Sequence, residues 1–545
     1  MRVYRLIFVF LLCASYLLAQ TADQAKTGKI RGTVIDTTTG QALPKVILKL
    51  MPLHFTGDAT EPPSATTDLH GEYEFRSVEP GEYFVMANKT GYVERFYGKS
   101  SSPYSRGTPI SIAPGATVSG IDFKLGHGGV ISGHVLNEDG EPFPNVHIVA
   151  LQYWRFGGRK RLSPRGNAQT DDRGEYRMHD LRPGSYFLLC EAQMSFGPNS
   201  TLTDAKHAYP PTYYPSTTSA DGATQIKVTE GSEAGANFSL SPVAAYTIRG
   251  SITGVSGSVN IMLGPVSRFD FGMGPQTYTN SSTFELGGVL PGSYNLVATT
   301  NDDETQRTVT QKVTIADADL NGVKINFENN APEIRGSLRV MGDAKADVSN
   351  LYVSALEPLM ENDDDLSFYS YGRNNGEVKK DGSFSLAPPS GGRIYIGVSA
   401  SRLPDAYVKS VALGTREVID SGFIPVTGAS LDVVLSPFGA SVEGLVLDKK
   451  GKPFPGALVF TIPEESRRDR RDLYQVSVSD QRGYFQLRGV APGTYKVIAV
   501  EDPELGPPFD SDFLKAHLSD APDLKAEEKG KYNLRITIIP AQASK

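Results

Sequence analysis

Short runs in which apolar and polar residues alternate cover most of the chain, broken by Gly, Pro, Asn and Asp at intervals of roughly 8 to 12 residues. A period of two puts successive side chains on opposite faces, so each run predicts a strand with one buried face. Residues 30–34 show the pattern: Ile30 and Val34 share a face, with Gly32 between them. Helical periodicity is scarce. Only 512–528 predicts a short helix, with Phe513, Leu514 and His517 on one side.

The runs recur as one cassette. Its opening, apolar-x-Gly-x-apolar, stands at Ile30-x-Gly32-x-Val34, Ile131-x-Gly133-x-Val135, Ile248-x-Gly250-x-Ile252, Ile334-x-Gly336-x-Leu338 and Val442-x-Gly444-x-Val446. Its closing, Pro-Gly-x-Tyr, stands at 80–83, 183–186, 291–294 and 492–495. Residues 30, 131, 248, 334 and 442 lie roughly 100 residues apart, the size of whole small domains rather than of solenoid repeats. A glycine inside a strand marks a bulge or a close backbone approach.

Turn residues follow each opening, as in Asp36 to Gly40, Asn137 to Gly140 and Asp448 to Gly451. Leu43-Pro44, Phe143-Pro144 and Phe454-Pro455 then lead into the next strand. Mid-unit, Asp-x-x-Gly-x-aromatic occurs as Asp68-x-x-Gly71-x-Tyr73, Asp171-x-x-Gly174-x-Tyr176 and Asp480-x-x-Gly483-x-Phe485. There the Asp accepts turn amides and the Gly supplies the backbone angle. The fourth unit carries a shifted form, Asp381-Gly382-Ser383-Phe384, and the third has lost the motif around Thr283-Phe284. Alternating pairs such as Phe123 and Leu125, or Ile536 and Ile538, end each unit. Six or seven short strands per unit predict a β-sandwich.

The expected organisation is a signal peptide at 1–19 and five sandwiches at 28–126, 127–243, 244–330, 331–437 and 438–545. The third and fourth are divergent. Joints near 126–129, 242–246, 329–333 and 436–440 are rich in Gly, Pro, Asn or Ser. Taken together, Gly-x-Val, an Asp/Asn-Gly turn, Pro before a strand, Asp-x-x-Gly-x-Tyr and Pro-Gly-x-Tyr resemble the carboxypeptidase regulatory-like domain. Units one, two and five match well; unit three keeps the opening and the closing motif. Unit four has Pro389-Ser390-Gly391-Gly392 before Tyr395. The resemblance implies an all-β chain of tandem Greek-key β-sandwich domains, transthyretin-like and grouped with carbohydrate-binding-like and Cna-B-type folds. It implies no peptidase activity, because the shared residues are turn chemistry. Cna-B-type relatives also form Lys–Asn isopeptide bonds assisted by a buried acid, an alternative the sequence leaves open without assigning the three residues in any unit.

The beginning of the chain reads as a signal peptide, with Arg2 and Arg5 ahead of the apolar run Leu6 to Leu18. Leu12 before Cys13 argues against a lipoprotein anchor, and no later run reaches the roughly 18 apolar residues of a helical span. An exported protein is expected: secreted, periplasmic or associated with an outer surface. Formal charge is −7, which argues against nucleic acid as a partner. Arg467, Arg468, Arg470 and Arg471 cluster among Glu464, Glu465, Asp469 and Asp472, and are expected on a solvated loop. Without the leader Cys190 is the one cysteine. It aligns with Ala87, Ala298 and Ala499 after the closing motifs, which predicts a buried core position.

Catalytic motifs are missing. No His-x-x-Glu, His-Glu-x-x-His, Gly-x-Ser-x-Gly, phosphate loop or dinucleotide fingerprint occurs. No enzyme activity, cofactor, metal or catalytic residue is therefore expected. Glu361, Asn362 and Asp363 to Asp365 offer oxygen ligands but lack Ca²⁺-loop spacing, so they read as a solvated acidic loop. Aromatic residues are the candidate ligand contacts: Tyr97 beside Phe96 and near Tyr104, Tyr153 and Trp154, and Tyr213 and Tyr214 within Tyr209 to Pro215. Flat rings stack on sugar faces while polar neighbours take the hydroxyls. The alternative role for the same rings is to close sandwich edges. The function expected is a non-catalytic protein binding carbohydrate or another surface polymer, its partner a polysaccharide or cell-surface protein. The alternatives are a structural spacer or adhesin-like scaffold, and an accessory of a carboxypeptidase or glycan-processing system.

Overall fold

The computed structural model describes residues 27–541 apart from 54–60, 99–106, 157–158, 193–205, 256, 266–273, 301–307, 328–333, 343–346, 350, 357, 359–374, 387–391, 400–402, 427, 429 and 502–510. The signal peptide, Tyr104, the acidic run at 361–365 and the joint at 329–333 lie outside the described residues. The contacts divide the chain into two compact units, residues 1–126 with 480–482, and the remainder. Almost every described element is a strand, and the strands form small paired sheets, so the fold is a tandem series of β-sandwiches. Five separate apolar clusters, one per cassette, form the cores, centred on Ile30, Ile131, Ile248, Ile334 and Val442.

One arrangement recurs five times. The opening strands are Gly28–Asp36, Gly129–Leu136, Tyr246–Thr253, Ile334–Val340 and Ala440–Leu447. Each pairs antiparallel with the strand after the mid-unit turn and parallel with the unit's last strand. In every unit the opening glycine faces the mid-unit aromatic: Gly32 and Tyr73, Gly133 and Tyr176, Gly250 and Phe284, Gly336 and Phe384, Gly444 and Phe485. Phe284 shows that the third unit, whose turn motif is gone, still keeps its aromatic partner.

The glycine is needed for space. A Cβ on Gly32 would lie 1.9 Å from the Ile121 carbonyl oxygen, one on Gly133 1.8 Å from that of Ala236, and one on Gly444 1.8 Å from that of Leu534. Ile121 and Ala236 lie in the chain entering the last strand, and Leu534 lies within it. In two units the facing tyrosine bonds the same oxygen: Tyr73 donates to Ile121 O at 2.6 Å and Tyr176 to Ala236 O at 2.8 Å. Burial raises both phenols, so they stay protonated donors.

The closing motif is a tyrosine corner. Tyr83, Tyr186, Tyr294 and Tyr495 each donate to a carbonyl four residues back, on Glu79, Arg182, Leu290 and Ala491. A second recurring knot precedes the mid-unit Asp. Thr67 Oγ1 accepts from Val46 N and donates to Leu43 O; Thr170 does the same with Val146 and Phe143, and Ser479 with Ala457 and Phe454. These buried hydroxyls satisfy backbone groups where the chain turns into the second strand. Asp68 and Asp171 accept amides of the residues two and four onward, which hold both carboxyls below their usual range.

Two expectations are corrected. The helix covers only Ser511–His517; residues Asp523–Ala526 are a strand, because Leu524 and Ala526 alternate into the core and pair with Gly493–Val500. The arginine cluster is not a solvated loop. Arg470 is 2 % exposed and bonds Asp420 Oδ1 at 2.8 Å and Asp472 Oδ2 at 2.5 Å. Flanking acids neutralise the cluster, as the sequence suggested, but one of its partners, Asp420, comes from the preceding sandwich, so the charge is buried at a joint.

Further polar contacts tie that joint. Arg467 also reaches Asp420, Arg488 forks onto Asp405 at 2.8 and 2.6 Å, and Glu528 Oε1 accepts from Tyr407, Lys409 and Ser436. Arg488 holds the Asp405 carboxyl below its usual range, and Tyr407 and Lys409 do so for Glu528. Burial alone would raise Asp420, but Arg470 and Arg467 bring it below its usual value. Between the second and third sandwiches, His207–Ala208 pairs with Val243–Ala244 across the joint.

Two outcomes follow. Gly133→Ala forces the last strand away, at or beyond the top of the ~1–3 kcal/mol range for overpacking, while Tyr176→Phe costs about 1–2 kcal/mol through one lost hydrogen bond. Calorimetry of each variant checks the order, and equal losses would contradict the steric account. At the joint the folded carboxyl values are depressed. Its ionic stabilisation is therefore complete above the ordinary carboxylate range near pH 4 and is lost as pH falls through the lowered values. Proteolysis at 436–440 should accelerate on acidification, and Asp420→Asn should reproduce part of that effect at neutral pH; equal cleavage rates would contradict it.

Candidate functional site

The second sheet of the second sandwich differs from its counterparts. Strand His147–Phe156 lies between Arg159–Gln169 and Gly184–Glu191, and Thr212–Tyr213 pairs along the far side. One face, with Ile148, Ala150, Leu188 and Cys190, joins the main core. The other face is also apolar: Val149, Leu151, Phe187 and Leu189 form a second buried cluster with Leu162, Tyr213 and Ala223 against it. The sequence signal was the pair of unbroken runs Ile148 to Leu151 and Phe187 to Cys190, since a strand buried on both faces does not alternate.

The pairing of His147–Phe156 with Arg159–Gln169 runs from His147 opposite Gln169 to Phe156 opposite Arg159. Gly184–Glu191 covers only His147 to Leu151. Residues 152–156 and 159–163 therefore continue past the sheet as a two-stranded ribbon. Tyr153 stands at its root, 38 % exposed, its ring edge-on to Phe187 at 5.2 Å. At the opposite end of the same face, His147 Nδ1 lies 3.7 Å from a Glu191 carboxylate oxygen. His147 Nδ1 and Glu191 Oε1 are buried without a hydrogen-bond partner.

Of the five nominated aromatics, the side chain of Trp154 lies outside the described residues. Tyr97 packs half-buried on the first core, 6.1 Å from the Phe123 ring, and burial raises its phenol. Tyr214 packs on the second core, edge-on to Phe238 at 5.8 Å, and Tyr213 packs on the outer cluster. Tyr97 and Tyr214 thus occupy edge-closing positions. Tyr153 alone of the five presents an exposed ring among the described side chains, and Trp154 follows it in the ribbon, opposite Arg161. Cys190 is fully buried, and burial pushes its thiol up, which makes it an inert core residue. Among the described residues no three or more His, Cys, Asp or Glu side chains gather as a metal site. No helix among them is long and apolar enough to cross a membrane.

No protein-family model matches the chain, and no curated protein matches it. Among solved structures the chain is similar to GBS52, a minor pilin of Streptococcus agalactiae, at 14 % identity over 40 % of this chain and 97 % of that one, with a TM-score of 0.21. It is similar to BcpA, the major pilin subunit of Bacillus cereus, at 13 % identity over 55 % and 99 %, with a TM-score of 0.14. The shaft pilin SpaA of Lactobacillus rhamnosus GG matches at 11 % identity over 40 % and 98 %, with a TM-score of 0.17. Likenesses at these scores carry no argument, so the fold rests on the strands themselves, and the carboxypeptidase regulatory-like resemblance rests on the motifs.

Proposed function

We propose that this is an exported, non-catalytic multidomain β-sandwich protein that binds carbohydrate or another cell-surface polymer through the hairpin of its second sandwich. The domain limits are those read from the cassettes. The observation that carries the reading is the exposed Tyr153 ring, held edge-on by Phe187 at the root of a ribbon that continues with Trp154. A ring fixed by its neighbour loses little freedom on binding, and its flat face suits a sugar ring. The cassette residues are occupied in turns and closures, which leaves the places where the units differ as the source of specificity.

An adhesin-like scaffold is the second reading. It is favoured by the joint between the fourth and fifth sandwiches, where Arg470, Arg488 and Glu528 tie neighbours together. The role of an accessory to a carboxypeptidase or glycan-processing system is compatible with either.

A glycan array probed with the chain lacking residues 1–19 separates the readings. Binding should fall about tenfold, or roughly 1.4 kcal/mol, in Tyr153→Ala and in Trp154→Ala. Tyr97→Ala and Tyr214→Ala should lower the melting temperature and leave binding intact. Binding that survives both ribbon substitutions unchanged would sink the assignment, and no binding to any glycan would leave the scaffold reading.

A further inference from the structure

The third sandwich leaves open a sheet face that the second and fifth bury. Its second sheet is built, in order across the sheet, from Gln276–Thr279, Val259–Pro265, Gly292–Thr300 and Thr308–Ile315. Val259, Ile261, Leu263, Leu296 and Ala298 point into the core. Alternation therefore turns Asn260, Met262, Asn295, Val297 and Thr299 outward, and directly opposed residues share that face. In the second sandwich the equivalent face is apolar, with Phe187 and Leu189 in a buried cluster. In the fifth, Ile498 and Val500 cluster with Phe513 and Leu514 of the helix. Counted from the closing tyrosines, Asn295 stands where Phe187 does and Thr299 where Val500 does. Among the described residues no second apolar cluster forms on the third sandwich.

Hydroxyl and amide groups dominate this face. Its four strands hold one charged residue, Lys312, in a chain of which 21 % is charged. Tyr278 lies opposite Asn260, Asn260 opposite Thr299 and Thr299 opposite Thr308, a row that crosses all four strands over about 14 Å. Tyr278 is 62 % exposed, and Thr308 and Thr310 are exposed on the far strand. Thr299 Oγ1 and Thr308 Oγ1 lie 3.3 Å apart. Asn260 Oδ1 is shut away from solvent without a hydrogen-bond partner. We propose that this face is a second glycan-binding site, taking an uncharged polysaccharide laid across the strands with one sugar stacked on Tyr278. The inference rests on the reading above that the chain binds a surface glycan, and it adds a contact away from the hairpin. Sugar hydroxyls both donate and accept, as do side-chain amides and threonine hydroxyls, and a flat ring takes the apolar face of a sugar. The unmet Asn260 oxygen costs free energy, which a turn of the side chain toward a ligand hydroxyl recovers. One lysine cannot pair a uronic acid polymer or a nucleic acid backbone unit by unit. A protein partner would need an apolar centre, and Met262 and Val297 make only a small one.

The test is equilibrium binding of the chain lacking residues 1–19 to dextran, mannan and hydroxyethylcellulose, with polygalacturonate as the charged probe. At least one neutral polymer should bind, with an affinity that salt leaves unchanged. Tyr278→Ala should weaken it about tenfold, and Asn260→Ala by a smaller factor. Tyr278→Phe should keep the binding, because the ring remains. The melting temperature of Tyr278→Ala should match the parent, since the ring is exposed. Loss in Tyr278→Ala with none in Tyr153→Ala supports this face and overturns the hairpin. Neutral-polymer binding that Tyr278→Ala and Asn260→Ala leave intact overturns this face, and its loss in Tyr153→Ala would then uphold the hairpin. Tighter binding of polygalacturonate than of every neutral polymer overturns the assigned class. Binding to none of the four overturns both glycan readings.

Discussion

Each sandwich is held shut by a glycine that faces an aromatic ring across two strands. The missing side chain leaves room for the last strand or the chain entering it, whose carbonyl oxygen sits close to where a Cβ would be in units one, two and five. The ring fills one side of the gap, and in units one and two its hydroxyl bonds that same oxygen. A methyl group at Gly32, Gly133 or Gly444 would push the last strand off the opening strand, so the backbone contact is compulsory where the hydroxyl is optional. Phe284, Phe384 and Phe485 lack the hydroxyl, and their units close all the same.

From this pair the rest follows in order. The opening strand sits between an antiparallel and a parallel neighbour, so the first and last strands of a unit lie side by side. The tyrosine corner and the Thr or Ser knot then fix the second sheet. What the cassette leaves free are the hairpin ends and joints, and there the units diverge. The second unit extends a hairpin into a ribbon, and the fourth and fifth are joined through a buried arginine.

Much of this was legible in residue types. Turn and core positions were readable because each answers a local need: Asp68 accepting amides, Pro183-Gly184 turning the chain into a strand, Cys190 in an alanine slot. The knot at Thr67, Thr170 and Ser479 was missed although each directly precedes a motif Asp, because a single hydroxyl looks like ordinary turn composition. The burial of Arg470 was illegible, since its partner Asp420 is remote in sequence and only tertiary packing brings them together. Of the nominated aromatics, alternation could not tell a ring that closes an edge from one that faces water. Tyr153 differs from Tyr214 only in what lies over it.

The arrangement also fixes how a pulled unit resists. Tension enters a sandwich at its first strand and leaves at its last, and these run parallel, so their hydrogen bonds are sheared together instead of opening one by one. Single-molecule pulling from the two ends of the chain lacking residues 1–19 is the most direct test. Five separate unfolding events are expected, each releasing about 30 nm for roughly 100 residues at ~3.5 Å apiece less the folded span. The fifth sandwich should be among the last to yield, because its parallel pairing runs unbroken from Ser441 opposite Lys531 to Leu447 opposite Thr537. A smooth extension without discrete steps, or steps of a size that matches no single sandwich, would contradict closure by the first and last strands.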